Sequence, residues 1–146
     1  MLHFSSTVLY PLIETYRDEV YAMLTVINTN IRIDPALCSI LHKLGYPVHR
    51  LGYSYLLIAA TRYAQGDIQS LSKELYPYVA DLFGYCDWPP VENAIRSATE
   101  YAWGNGSSQI WDDLFPSNHK MPTNKQLIAT LAEYLQQNTP LEIERG

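Results

Sequence analysis

Apolar side chains recur at every third or fourth position through most of this chain, with no sustained alternation of apolar and polar residues. That period is helical. In residues 6–28, Leu9, Leu12, Ile13, Tyr16, Val20, Met23, Leu24 and Ile27 share one face. Ser6-Thr7 offers the N-cap, Pro11 fits only in the first turn, and Asn28-Thr29-Asn30 ends the run. This amphipathic segment is expected to pack on the domain or to pair with the same helix of a second copy.

A second helix begins at Asp34-Pro35, carries Leu37, Ile40, Leu41 and Leu44, and stops at Gly45 with Pro47 behind it. A third runs from Gly52 to Gln65 and ends at Gly66. A fourth starts at Asp67 or Ser70 and carries Leu71, Leu75, Val79 and Leu82 to Gly84, with Pro77 forcing a bend or an irregular turn. After a link over 85–88, Pro89 is the expected cap and Pro90 the first residue of a fifth helix, because a residue before proline avoids the helical region. Val91, Ile95, Ala98 and Ala102 face inward there, and Gly104-Asn105-Gly106 ends it. Ser107 or Ser108 caps a short sixth helix through Ile110, Trp111 and Leu114. The last helix opens at Pro122-Thr123-Asn124 and carries Leu127, Ile128, Leu131 and Leu135. The expectation is an all-α helical bundle of about six or seven helices, each of ordinary length. It divides into an N-terminal extension (1–31), a helical domain (32–136) and a polar tail (137–146).

Composition agrees with a globular chain: 146 residues, 47% hydrophobic and 17% charged. The formal net charge of −5 argues against nucleic acid in general, since phosphate neutralisation drives most DNA affinity, but a local basic patch can suffice. Cys38 and Cys86 lie far apart with no metal-ligand spacing around them, and read as buried free thiols of a cytoplasmic protein. No signal peptide and no apolar stretch of membrane-spanning length is present.

Several segments carry a more specific signal. Leu44-Gly45-Tyr46-Pro47, Gly52-Tyr53-Ser54-Tyr55-Leu56, Lys73-Glu74-Leu75-Tyr76-Pro77, Val91-Glu92-Asn93-Ala94-Ile95-Arg96 and Pro122-Thr123-Asn124 occur in the order and spacing of one family. In these segments, and at Ala102-Trp103, the chain resembles the C-terminal DNA-binding effector domain family of Spo0A, the sporulation response regulator. The resemblance covers roughly two-thirds of the chain, about one domain. It implies a helix-turn-helix transcriptional regulator of sporulation initiation, with helix 90–103 as the recognition helix. Only about 35 residues precede the match, too few for a receiver domain. The resemblance therefore implies the effector half alone.

The family's recognition arginines are carried over in part. Arg96 stands at one of them, and an arginine fork pairs with guanine O6 and N7. Asn93 replaces a second arginine, Ser97 a histidine, and Pro89-Pro90 the Ser-Arg pair at the helix start. Lys73 matches a family lysine, whereas Asp81 replaces a basic residue. The expected DNA-binding set is Arg96, Asn93, Ser97 and Glu92 at the bases, with Lys73, Lys120 and Lys125 on phosphates. Residues 69–103 nevertheless hold Lys73 and Arg96 against Glu74, Asp81, Asp87, Glu92 and Glu100. Arg96 could also simply bridge Glu92 and Glu100, four residues to either side. The alternative function is a protein-interaction module on a helix-turn-helix scaffold that has lost strong DNA binding.

Enzyme readings are weak. His3, His42, His49 and His119 have no partner at a catalytic spacing, and phosphate-loop, nucleophile-elbow and HExxH motifs are missing. Asp112-Asp113 reads first as a helix N-terminal carboxylate pair offsetting the macrodipole, and only second as a metal pair. No cofactor or metal is expected. The twelve tyrosines and three tryptophans are expected mainly in the core or at an interface.

Overall fold

The computed structural model describes residues 31–116 and 120–137. These form six α-helices and no strand: α1 (Pro35–Leu44), α2 (Leu51–Ala64), α3 (Tyr76–Leu82), α4 (Pro89–Asn105), α5 (Ser108–Leu114) and α6 (Asn124–Gln137). A π-helical turn, Leu71–Leu75, leads directly into α3. The all-α expectation holds for this region. The expected helix over 6–28, most of the polar tail and His119 fall outside the described residues.

The helix ends follow local chemistry. The Asp34 carboxylate accepts from the Ala36 N–H at 2.8 Å, and Pro35 occupies the first helical position of α1. Gly45 closes α1 at φ 95°, a left-handed conformation, and Tyr46 N–H reaches back to Leu41 O at 3.0 Å. The end carbonyl of Leu44 is taken by the buried Trp111 indole N–H at 3.0 Å. Of the two cap choices left open by the sequence, Ser70 caps the π-turn through Lys73 N–H and Ser107 caps α5 through Ile110 N–H.

The core is built around α2, whose Tyr53, Tyr55 and Leu56 to Ala60 are all buried. It packs against α4 and α6, which contribute Val91, Ile95, Ala98 and Ala102, and Leu127, Ile128, Leu131 and Leu135. Gly52 makes the α2–α4 crossing possible, since a Cβ there would sit 2.1 Å from the Ala94 carbonyl oxygen. Tyr46, Tyr53, Tyr55, Tyr76 and Trp111 are buried, so much of the aromatic content is core. Tyr46 donates to Thr99 Oγ1 at 2.8 Å, and Thr99 donates to Ile95 O at 2.8 Å. Burial pushes the Tyr46 hydroxyl well above the ordinary phenol range.

Three expectations need correction. Cys38 is buried but Cys86 is exposed, because it falls in the solvent-facing link between α3 and α4. Asp112 and Asp113 lie in the last turn of α5, where they do not offset the macrodipole; Asp113 instead accepts from Gln109 at 2.9 Å. Helix α4 begins at Pro89, with Trp88 as its cap. Trp88 takes a helical conformation (φ −96°, ψ −18°) despite the proline after it. Its ring stacks on Tyr76 at 5.6 Å, and its N–H is held by the Asp87 carboxylate at 2.9 Å. This packing outweighs the local preference of a pre-proline residue.

Candidate nucleic-acid interface

The pair α3–α4 has the order of a helix-turn-helix, joined by a link over 83–88. Pro77 lacks an N–H, and its ring would crowd an ordinary helical turn. The preceding π-turn absorbs that cost: Tyr76 N–H bonds Leu71 O, five residues back. Gly84 (φ 75°) closes α3, and Tyr85 N–H returns to Ala80 O at 2.9 Å. The Tyr76–Trp88 stack then ties the start of α3 to the start of α4. The hydroxyls of Tyr55 and Tyr85 hydrogen-bond each other, which anchors the link to α2.

Helix α4 buries Val91, Ile95, Ala98, Thr99 and Ala102 and exposes Asn93, Arg96, Ser97 and Glu100. At 3.6 residues per turn those four fall on one outward stripe. Among the described residues neither Glu92 nor Glu100 closes an ion pair with Arg96, so the expected bridging does not occupy its guanidinium. Arg96 borders a cleft of about 390 Å³ with Glu92, Lys125, Thr123 and Ser70 along its walls. The cleft is fixed by Asn124, which is buried and donates from Nδ2 to Tyr76 Oη (3.2 Å) and to Glu92 O (3.1 Å). Thr123 and Gln126 cap α6 reciprocally, through Gln126 N–H to Thr123 Oγ1 (3.1 Å) and Thr123 N–H to Gln126 Oε1 (2.9 Å). This sets Lys125 in the first turn of α6, where it lines the same cleft as Arg96.

The expected site residues are thus partly assembled. Arg96, Glu92 and Lys125 share the cleft, and Asn93 and Ser97 lie on the adjoining stripe. Lys73 and Lys120 are exposed but line no part of the cleft. Ser97 is engaged already: its Oγ accepts from Arg50 Nη1 at 3.2 Å. The same guanidinium lies 5.1 Å from the centroid of the Tyr101 ring. Arg50 is the cation beside this stripe that a reading of residues 69–103 misses, because it arrives from the start of α2.

The carboxylates of this region divide by position. Glu74 Oε1 accepts from the N–H groups of Gln69 (2.6 Å) and Ser70 (2.9 Å). Those two bonds hold its pKa below the usual carboxylate range. Asp81 and Asp87 border a second depression of about 430 Å³ with Tyr85, Cys86 and Trp88, beside the start of α4 and apart from the Arg96 cleft. Glu92 and Glu100 are the carboxylates that remain on α4 itself, one in the cleft and one on the outward stripe. Among the described residues no helix is long and apolar enough to cross a membrane.

The family model described as sporulation initiation factor Spo0A C terminal matches residues 37–135. The match spans α2 to α5 in full, nearly all of α1 and α6, and with them the helix pair and the Arg96 cleft. The chain belongs to this family of sporulation-related DNA-binding regulatory domains, which is not a family of enzymes.

Proposed function

We propose that this chain is a DNA-binding transcriptional regulator of sporulation initiation that places α4 in the major groove. Arg96 reads a guanine there, with Asn93, Ser97 and Glu92 beside it. Lys73, Lys120 and Lys125 hold backbone phosphates, and DNA is engaged in the cytoplasm. The observation that carries this reading is Arg96 itself: exposed on the outward stripe of α4, free of a carboxylate partner, and lining with Lys125 a cleft fixed by Asn124. Helix capping and cation placement at the start of α6 further support phosphate contact beside the helix pair. The binding unit is residues 32–136. The amphipathic pattern of residues 1–31 supports a role in pairing two copies.

Binding to a randomised duplex pool over a salt series tests the reading. Lys73→Ala and Lys125→Ala should each weaken all sequences about equally and reduce the slope of log affinity against log salt by about one. No binding to any duplex at low salt would leave the interaction-module reading in its place. That second reading draws on the acidic pair Asp81 and Asp87 and on exposed Leu51, Tyr85 and Tyr101.

A further inference from the structure

The geometry points to Arg50 as a phosphate contact on the flank of the recognition helix, adding from the start of α2 a second cation to the Arg96 of α4. The inference rests on α4 being the helix that enters the groove. Arg50 is exposed and is the N-cap residue of α2, although it makes no side-chain capping bond. Its guanidinium crosses instead to α4, where Ser97 Oγ takes one N–H and the Tyr101 ring lies beneath. The crossing point is fixed by backbone, since Gly52 rests against the Ala94 carbonyl two residues after Arg50.

This arrangement leaves most of the guanidinium unspent. A guanidinium offers a fork of N–H donors, and here only the bond to Ser97 is made; no ion pair engages Arg50 among the described residues. Stacking on Tyr101 and the bond to Ser97 pre-order a long side chain. Less conformational freedom then remains to be lost when an anion binds. The position on α4 favours phosphate over a base. Tyr101, on which the guanidinium rests, lies more than three turns from the start of the helix and beyond Arg96, whereas base contacts come from residues nearer the N-terminus of a recognition helix. On a helical projection Arg96 and the Ser97–Tyr101 edge fall on opposite sides of Asn93. The two cations thus flank the stripe, as the two phosphate walls flank a major groove. Asn93 and Pro89-Pro90 provide no cation on α4, so Arg50 restores one from elsewhere in the fold.

The test uses the full chain and a duplex selected from a randomised pool, with anisotropy read across a salt series. Arg50→Gln should lower affinity for selected and unrelated duplexes alike and reduce the salt slope by about 0.9. The loss of affinity between 50 and 200 mM salt should shrink by roughly 3.5-fold. Arg50→Lys, which keeps the charge, should keep the slope. Circular dichroism of both variants establishes that they fold. An unchanged slope in Arg50→Gln, with Arg96→Ala still relaxing base preference, would make Arg50 an internal strut and leave the α4 reading standing. A lost preference at one base pair without a change in slope would overturn the phosphate assignment in favour of a base contact. Absence of duplex binding by the wild-type chain would overturn both.

Discussion

At the scale of single residues, this interface depends on which polar groups are already committed. Arg96 is exposed and unpaired, whereas Ser97 is held by Arg50 and Asn124 is spent on Tyr76 and Glu92. Glu74 is committed as well, because its carboxylate closes the turn at Gln69 and Ser70. Its folded pKa lies below the unfolded value, so the ionised form is the one that stabilises the fold. That contribution is full above the ordinary carboxylate pKa of about 4.3 and is lost as pH falls through the lower folded value. Thermal melts from about pH 7 down to about pH 2 should show wild type above Glu74→Gln at neutral pH, with the gap closing in acid. A gap independent of pH would contradict this role. The residues hardest to read from sequence were those whose partners are distant. Arg50 meets Ser97 across 47 positions, and no local pattern announces it.

At the scale of elements, helix ends were the most legible features. Asp34-Pro35, Gly45 and Ser107 act through bonds to neighbours within a few residues, so their chemistry is written locally. Pro77 marked an irregularity, although not that a π-turn would absorb it. The start of α4 was misread because the Trp88–Tyr76 stack, a tertiary contact, overrides the pre-proline preference. Asp112-Asp113 was misread because α5 is only seven residues long and ends just after them. The placement of α4 depends most on Gly52. Gly52→Ala would press a methyl group into the Ala94 backbone. It should destabilise the fold by about 1–3 kcal/mol or more in urea unfolding, as over-packing does. It should also weaken DNA binding by displacing Arg50. Wild-type stability in that variant would mean that α2 and α4 are not rigidly seated.

At the scale of the whole molecule, an acidic chain has to present a cationic face to a polyanion. On the proposed function the formal charge of −5 slows encounter and weakens non-specific binding, while local cations offset it: Arg96 with Lys125 at the cleft, and Arg50 at the other edge of α4. Sequence alone gave the family and the helical class, because both rest on residues whose type and spacing are read directly. The distribution of charge was not legible, because it depends on which helices face together. Asp81 and Asp87 gather beside the start of α4, where on the proposed docking they oppose the phosphate backbone. Asp81→Asn should therefore raise affinity for all duplexes severalfold at low salt, an effect that fades as salt screens the charge. An unchanged affinity would place Asp81 away from the DNA.

The central claim is that Arg96 on α4 reads a base. Its most direct test compares the base preferences of wild type and Arg96→Ala by selection from a randomised duplex pool at one fixed salt concentration. The account predicts that the variant loses preference at a single guanine–cytosine pair, at a cost of roughly 1–3 kcal/mol on the selected site, with the other positions unchanged. A variant that binds with the same preferences as wild type would contradict it.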